Sequence, residues 1–300
     1  MTAAGAPSCL IVSADDYGYF GGVSRGIIEA AERGIVTATG VFANSDRFDE
    51  DVPALRDCAA LDAGVHLNLT DGRPLTPDMR ARLARWNGRF PGKFVIGRAV
   101  MLGAIRVRDV QIEWRAQIER CLDAGLTLQF LNSHEHIHML PLLFPLAQAF
   151  ADEYGIPHLR LATADLKRSR GAAALLRGAI IGTVAAYCRR QLVRPAAHFL
   201  GLEASGRLGI DDLDALTADL QPGGVYELMC HPGRLDRSEV SNPRLLDYHD
   251  WEGELATLTD PRAKALLDER GIRLVGYRDV VADSGRLMPR GLSATEGPHR

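Results

Sequence analysis

Three histidines fall within five residues in Ser133-His134-Glu135-His136-Ile137-His138, after the apolar run Leu126-Thr127-Leu128-Gln129-Phe130-Leu131. Imidazole is the commonest nitrogen ligand for borderline metals, and carboxylates usually complete such sites. Suitable partners recur along the chain. Asp15-Asp16 follows Cys9-Leu10-Ile11-Val12, His66 sits inside Gly64-Val65-His66-Leu67-Asn68-Leu69, and His231 ends Val225-Tyr226-Glu227-Leu228-Met229-Cys230. Polar clusters at or near the ends of apolar, strand-like runs predict one metal-dependent active site.

Each cluster has a plainer reading beside the chemical one. Adjacent acids at the end of a buried strand are costly unless balanced, and one can bind a metal while its neighbour stays free as a base. Asp15-Asp16 can instead be the N-cap of a following helix. His66 alone reads as a hydrogen-bonded core residue, and His231 as a strand-end residue before the turn Pro232-Gly233. A strand would set His134, His136 and His138 on one face. One short segment rarely supplies a whole ligand set, so one or two of them bind and the others line the pocket. Glu227, four residues before His231 on the same strand face, is a buried acid that needs a partner and can orient His231.

Strand-like runs fall near 9–14, 36–43, 63–69, 127–132, 157–161, 224–230 and 271–276. Helical spacing appears at Val23–Ala31, stopped by Gly34, and at Val110, Ile112, Trp114, Ile118 and Leu122. It appears again from Pro141 to Tyr154, closed by Gly155. Strands alternating with helices imply parallel βαβ units. Polar residues closing several different strands favour an irregular TIM-like (β/α) barrel of seven parallel strands over a doubly wound sheet. Residues 1–282 are expected to form one barrel domain with insertions at about 71–109 and 165–222, and 283–300 a frayed tail. The first insertion shows little periodicity, and its Trp86 and Phe90 suit either stacking on a sugar face or anchoring the loop. In the second, the apolar centre Ala172–Cys188 is flanked by Arg168, Arg170, Arg189, Arg190 and Arg194. It is short for a membrane span and reads as a helix packed on the barrel or one that also meets lipid.

Across 300 residues the hydrophobic fraction is 46%, the charged fraction 24% and the formal net charge -3, giving no reason to expect nucleic acid as a partner. Five dispersed cysteines without a C-x-x-C pair read as reduced thiols of a cytoplasmic protein, and the N-terminus has no basic region of a signal peptide.

Four strings, Ser13-Ala14-Asp15-Asp16-Tyr17-Gly18, Gly-x-His-Leu-x-Leu-Thr at 64–70, Ser-His-x-His-x-His at 133–138 and Glu-Leu-Met-Cys-His-Pro-Gly at 227–233, occur in an order that resembles the YdjC-like carbohydrate deacetylase family. The resemblance runs to Gly276-Tyr277-Arg278-Asp279-Val280. It implies an irregular TIM-like barrel and divalent-metal-dependent removal of N-acetyl groups from amino sugars. By position it places metal ligands at Asp16, His66 and His134, the base at Asp15 and the general acid at His231. Substrate or supporting contacts then fall to His136, His138, Glu227, Asn132, Arg160, Trp86 and Phe90. Asn132 departs from the aspartate common there and contributes no charge. The Asn-Ser-His-Glu-His form and Phe-x-Gly-Leu-x-x-Ser-Gly at 199–206 resemble the hopanoid-biosynthesis-associated branch, which implies an N-acetylglucosaminyl lipid substrate and peripheral contact with the inner face of a membrane.

Nitrogen ligands favour zinc, while the resemblance implies magnesium as well, and manganese, cobalt and nickel fit the same donors. The rival readings are another metal-dependent ester or phosphoester hydrolase on the same barrel and a non-catalytic glycolipid-binding protein. A spare base and acid argue against a mere binder. Oligomeric state leaves no mark in the sequence.

Overall fold

The computed structural model describes residues 6–165, 172–240, 242–283 and 286–290. Strands and helices alternate as β1 (Cys9–Tyr17), α1 (Gly21–Arg33), β2 (Ala38–Val41), α2 (Phe48–Asp57) and β3 (Asp62–Leu67). Three helices follow, α3 (Pro77–Arg82), α4 (Lys93–Met101) and α5 (Val107–Asp123), before β4 (Leu128–Ser133), α6 (Phe144–Glu153) and β5 (His158–Leu159). Then come α7 (Ala172–Gln191), β6 (His198–Leu200), α8 (Ile210–Thr217) and β7 (Val225–Cys230). The chain closes with α9 (Arg244–Tyr248), α10 (Trp251–Thr259), α11 (Pro261–Glu269), β8 (Arg273–Leu274), β9 (Val280–Asp283) and β10 (Arg286–Pro289).

Seven parallel strands lie in the order β5-β4-β3-β2-β1-β7-β6, with β8 added beside the start of β1. In a flat sheet β5 and β1 would stand roughly 19 Å apart. Arg160, directly after β5, nonetheless reaches Asp15 on β1 and Glu227 on β7. The sheet is therefore curled, yet among the described residues no ladder joins β5 to β6. The expected barrel is an open, curled half-barrel.

The seven strands are not quite the expected seven. The run at 271–276 contributes only two paired residues, and the place beside β7 belongs to β6, inside the stretch read as an insertion. Three residues are too few to show a period of two. The first insertion is helical too. Thr76 caps α3, Pro77 opens it, and the buried Glu113 of α5 accepts hydrogen bonds from the Leu75 and Thr76 amides. Residues 286–289, expected in the tail, pair antiparallel with β9.

Period two along β1 separates two packing environments. Leu10, Val12 and Ala14 face the helices with Val23 and Ile27, while Cys9 and Ile11 turn inward with Phe130 and Tyr277. The Leu, Val, Ile and Phe side chains among them each contribute roughly 1.5–3 kcal/mol on burial. Apolar side chains thus fill one end of the curl, and Ser13, Asp15 and Glu227 bring polar groups into it. Gly34 does stop α1, but through close approach: a Cβ there would stand 2.2 Å from the Leu258 carbonyl oxygen. On α5, Val110, Trp114 and Ile118 are buried as expected, whereas Ile112 and Leu122 are exposed.

Candidate active site

The strand alternation that should send Asp15 and Asp16 to opposite faces breaks where they stand. Pairing with β2 slips between Ala14 and Tyr17, and Asp16 takes a left-handed φ of 73°. Such strain in a non-glycine residue persists only where surroundings impose it, and it gathers at functional sites. Neither acid caps α1, whose N-cap is Phe20.

Asp16 faces two imidazoles. Its Oδ1 lies 3.2 Å from His66 Nε2 and 3.0 Å from His134 Nδ1, and one donor atom from each of the three residues falls within 4.8 Å of the others. His66 Nδ1 is 2.7 Å from Asn132 Oδ1, an acceptor, so this nitrogen carries the proton. Nε2 is then a bare lone pair, buried, without a hydrogen bond and turned toward a carboxylate. A cation between them resolves that repulsion, and two nitrogens with one oxygen suit a divalent metal. Gly40 of β2 makes room, since a Cβ there would stand 2.9 Å from Asn132 Oδ1 and 3.0 Å from His66 Nδ1.

Asp15 faces a guanidinium instead. Arg160 donates from Nη1 to Oδ2 (2.6 Å) and from Nη2 to Oδ1 (2.8 Å), and Asn132 Nδ2 donates to Oδ1 (3.1 Å). Three of a carboxylate's roughly four acceptor positions are filled, leaving one on Oδ2. Asn132 therefore ties the base candidate to His66. Arg160, buried, also bonds Glu227 through Nε (2.5 Å) and Ser13 through Nη2 (3.0 Å).

Burial pushes both aspartates upward, but the opposing fields win. Arg160 above all holds Asp15 below the usual carboxylate range, and His134 holds Asp16 well below it. Burial lowers His134, yet Asp16 outweighs it and lifts the imidazole to about 9. A proton and a metal therefore compete for this site.

The other histidines separate. Residues 134–139 form a 3-10 turn, with Glu135 and His136 at φ 53° and 55°, so the expected strand face does not exist. His138 contacts Ser133 Oγ (2.6 Å) through Nδ1 and the Arg160 carbonyl (2.9 Å) through Nε2, joining the turn to β5. Burial drives it down to about 4, hence neutral. His136 packs edge-on to Phe199, and burial with Arg160 nearby keeps it neutral as well.

The acid beside His231 is Glu254 of α10, not Glu227. The His231 backbone amide donates to Glu254 Oε2 (2.5 Å), and its Nδ1 stands 4.0 Å from Oε1. Glu227 turns instead to Arg160. Phe90 is buried in the core beneath its loop, and Trp86 is half-buried with Arg85 stacked 3.8 Å over its ring, so both anchor the insertion. Sequence reasoning missed Ser13, Gly40 and Glu254. Glu254 lies on a later helix, and nothing in its local pattern marks it.

Fold and site together define a class: an α/β protein whose curled parallel sheet gathers an Asp-His-His cluster beside a second, guanidinium-braced aspartate. The chain belongs to the YdjC-like protein family, which matches residues 9–269. It is 33% identical over 273 residues to a carbohydrate deacetylase of Geobacillus stearothermophilus, covering 91% of this chain and 98% of the relative. A chitooligosaccharide deacetylase of Klebsiella pneumoniae (strain 342) is 32% identical, covering 90% and 98%. A crystal structure of an Enterococcus faecalis V583 protein, described in connection with cellobiose-phosphate cleavage, superposes with a TM-score of 0.70 at 25% identity, covering 91% and 98%.

Proposed function

We propose that this chain is a divalent-metal-dependent carbohydrate deacetylase that hydrolyses the N-acetyl group of an amino sugar. The observation that carries the reading is the bulge at Asp15-Asp16, which gives one carboxylate to two imidazoles and the other to a guanidinium. Relatives of nearly the same length that are named deacetylases supply the substrate class.

Asp16, His66 and His134 would hold the metal. When bound, a divalent ion supplies Lewis acidity that polarises the acetyl carbonyl and brings the pKa of water toward about 7. Asp15 stays ionised and fixed, and the remaining position on Oδ2 takes the proton of the attacking water. Two bonds from Arg160 reduce its basicity, so it works by placement and charge. His231 protonates the departing amine, which leaves poorly as an anion. Arg160 and Asn132 hold Asp15 in place.

A finer reading is that the sugar belongs to a glycolipid of the N-acetylglucosaminyl hopanoid kind, met by a cytoplasmic enzyme at a membrane surface. Among the described residues no helix is long and apolar enough to cross a membrane. On α7, Ala185 and Cys188 are buried, with the Cys188 thiol 3.3 Å from the Met139 carbonyl, while Leu175, Leu176 and Ile180 are exposed. Phe94 and Leu102 on and just after α4 are exposed as well, and Gly97 of α4 packs near Leu140 and Ile137. Two apolar surfaces thus flank the turn that carries His134. Arg168 and Arg170 lie outside the described residues, whereas Arg189 and Arg190 are exposed on α7.

Acetate release from N-acetylglucosamine, N,N′-diacetylchitobiose and an N-acetylglucosaminyl lipid tests both levels. No acetate from any of them overturns the deacetylase reading. Release from the sugars alone overturns the lipid reading.

A further inference from the structure

His249 precedes α10 and takes no part in the steps above. Its ring lies flat on Trp251, with centroids 5.0 Å and planes 12° apart, and meets the His231 ring at 5.0 Å. Trp251 is buried and packs edge-on to Phe20 at 6.0 Å, so the plane of the imidazole is fixed. The contact with the His231 ring sets His249 beside the site, within the fields of His231, Asp16 and His134.

Its two nitrogens have different surroundings. Nδ1 is enclosed without a hydrogen bond and packs against Gly206, where a Cβ would stand 3.2 Å away. Nε2 is not enclosed, and it has no partner among the described residues. A buried N–H without an acceptor costs more than an empty lone pair. The proton therefore resides on Nε2. Burial also keeps the ring neutral, drawing it down to about 3, so it adds no positive charge beside His231.

We propose that His249 contacts substrate directly, its Nε2–H donating to a hydroxyl oxygen of the sugar and holding the acetamido ring against His231. This rests on the carbohydrate reading above and adds a binding residue that the motifs do not contain.

The probe is N,N′-diacetylchitobiose, its binding measured by calorimetry on metal-loaded Asp15→Asn protein so that turnover does not intervene. Adding His249→Phe keeps a flat ring on Trp251 but removes the donor, and affinity should fall about tenfold, the loss of one neutral hydrogen bond. His249→Gln should recover part of the loss. In the otherwise native enzyme, His249→Phe should raise KM about tenfold, with kcat falling less than about threefold and both limbs of the pH–rate profile unmoved. Unchanged affinity, or an effect confined to kcat with a shifted pH profile, overturns the proposal. So does failure of the Asp15→Asn protein to bind the disaccharide. If the native enzyme binds it and releases no acetate, the deacetylase reading fails while the affinity comparison still decides the role of His249.

Discussion

Replacing Arg160 with methionine removes the cation that three strands share while keeping most of the side-chain volume. Asp15 and Glu227 are then buried at 3% and 2% exposure without their common guanidinium. Removing one partner from a buried ion pair costs roughly 3–5 kcal/mol. For a chain of this size the melting temperature should fall by on the order of 6–15 °C at neutral pH. The pH dependence separates this account from simple loss of packing. In the native protein the depressed Asp15 carboxyl contributes stability above its unfolded value, and that stability is lost as pH falls through the folded value. In the variant the largest opposing field is gone and burial pushes the folded carboxyl up, so the deficit is small near about pH 4 and widens toward neutrality. Thermal unfolding followed by circular dichroism at a series of pH values reads this directly. Adding Glu227→Gln should return part of the stability at neutral pH, because one orphaned charge is gone. A gap under about 2 °C at neutral pH, or one that does not vary with pH, refutes the reasoning.

Asp15→Asn should leave metal content intact and lower kcat by roughly 10²–10⁴, as loss of a positioned base does; full activity measured by acetate release contradicts the assignment. Asn132→Ala should weaken metal binding by roughly 10–100-fold with secondary structure unchanged, because His66 loses the acceptor that sets its tautomer; competition with a fluorescent chelator measures this. Since His134 titrates at about 9 without metal, binding must release its proton, and apparent affinity should climb about tenfold per pH unit up to that value and then level off. Calorimetry in buffers of different ionisation enthalpy counts the proton, and a flat profile contradicts the assignment.

Much of the site was legible because its groups stand at strand ends, where apolar runs break into Asp15-Asp16, His66, His134 and His231. The curl of the sheet was not, because closure depends on long-range pairing, and His198–Leu200 is too short to signal a strand. The Asp15-Asp16 bulge and the left-handed Glu135 and His136 are backbone events that residue types do not announce. They decide which neighbours share a face: the first unites two acids, and the second removes His136 and His138 from the Asp16 cluster. Arg160 was placed among the site residues without a role, because only the fold brings its guanidinium between Asp15 and Glu227. Glu254 stayed hidden for the same reason, being assigned to His231 by tertiary packing while the nearer Glu227 was already engaged.

The central claim is that Asp16, His66 and His134 hold one divalent ion needed for acetate release. The direct test is elemental analysis of the protein alongside acetate release from N,N′-diacetylchitobiose, before chelation, after it, and after titration with zinc, magnesium or manganese. Activity should vanish with the metal and return at one ion per chain, and Asp16→Ala should abolish both binding and recovery. An undiminished rate in metal-free protein, or full recovery in Asp16→Ala, would contradict the claim.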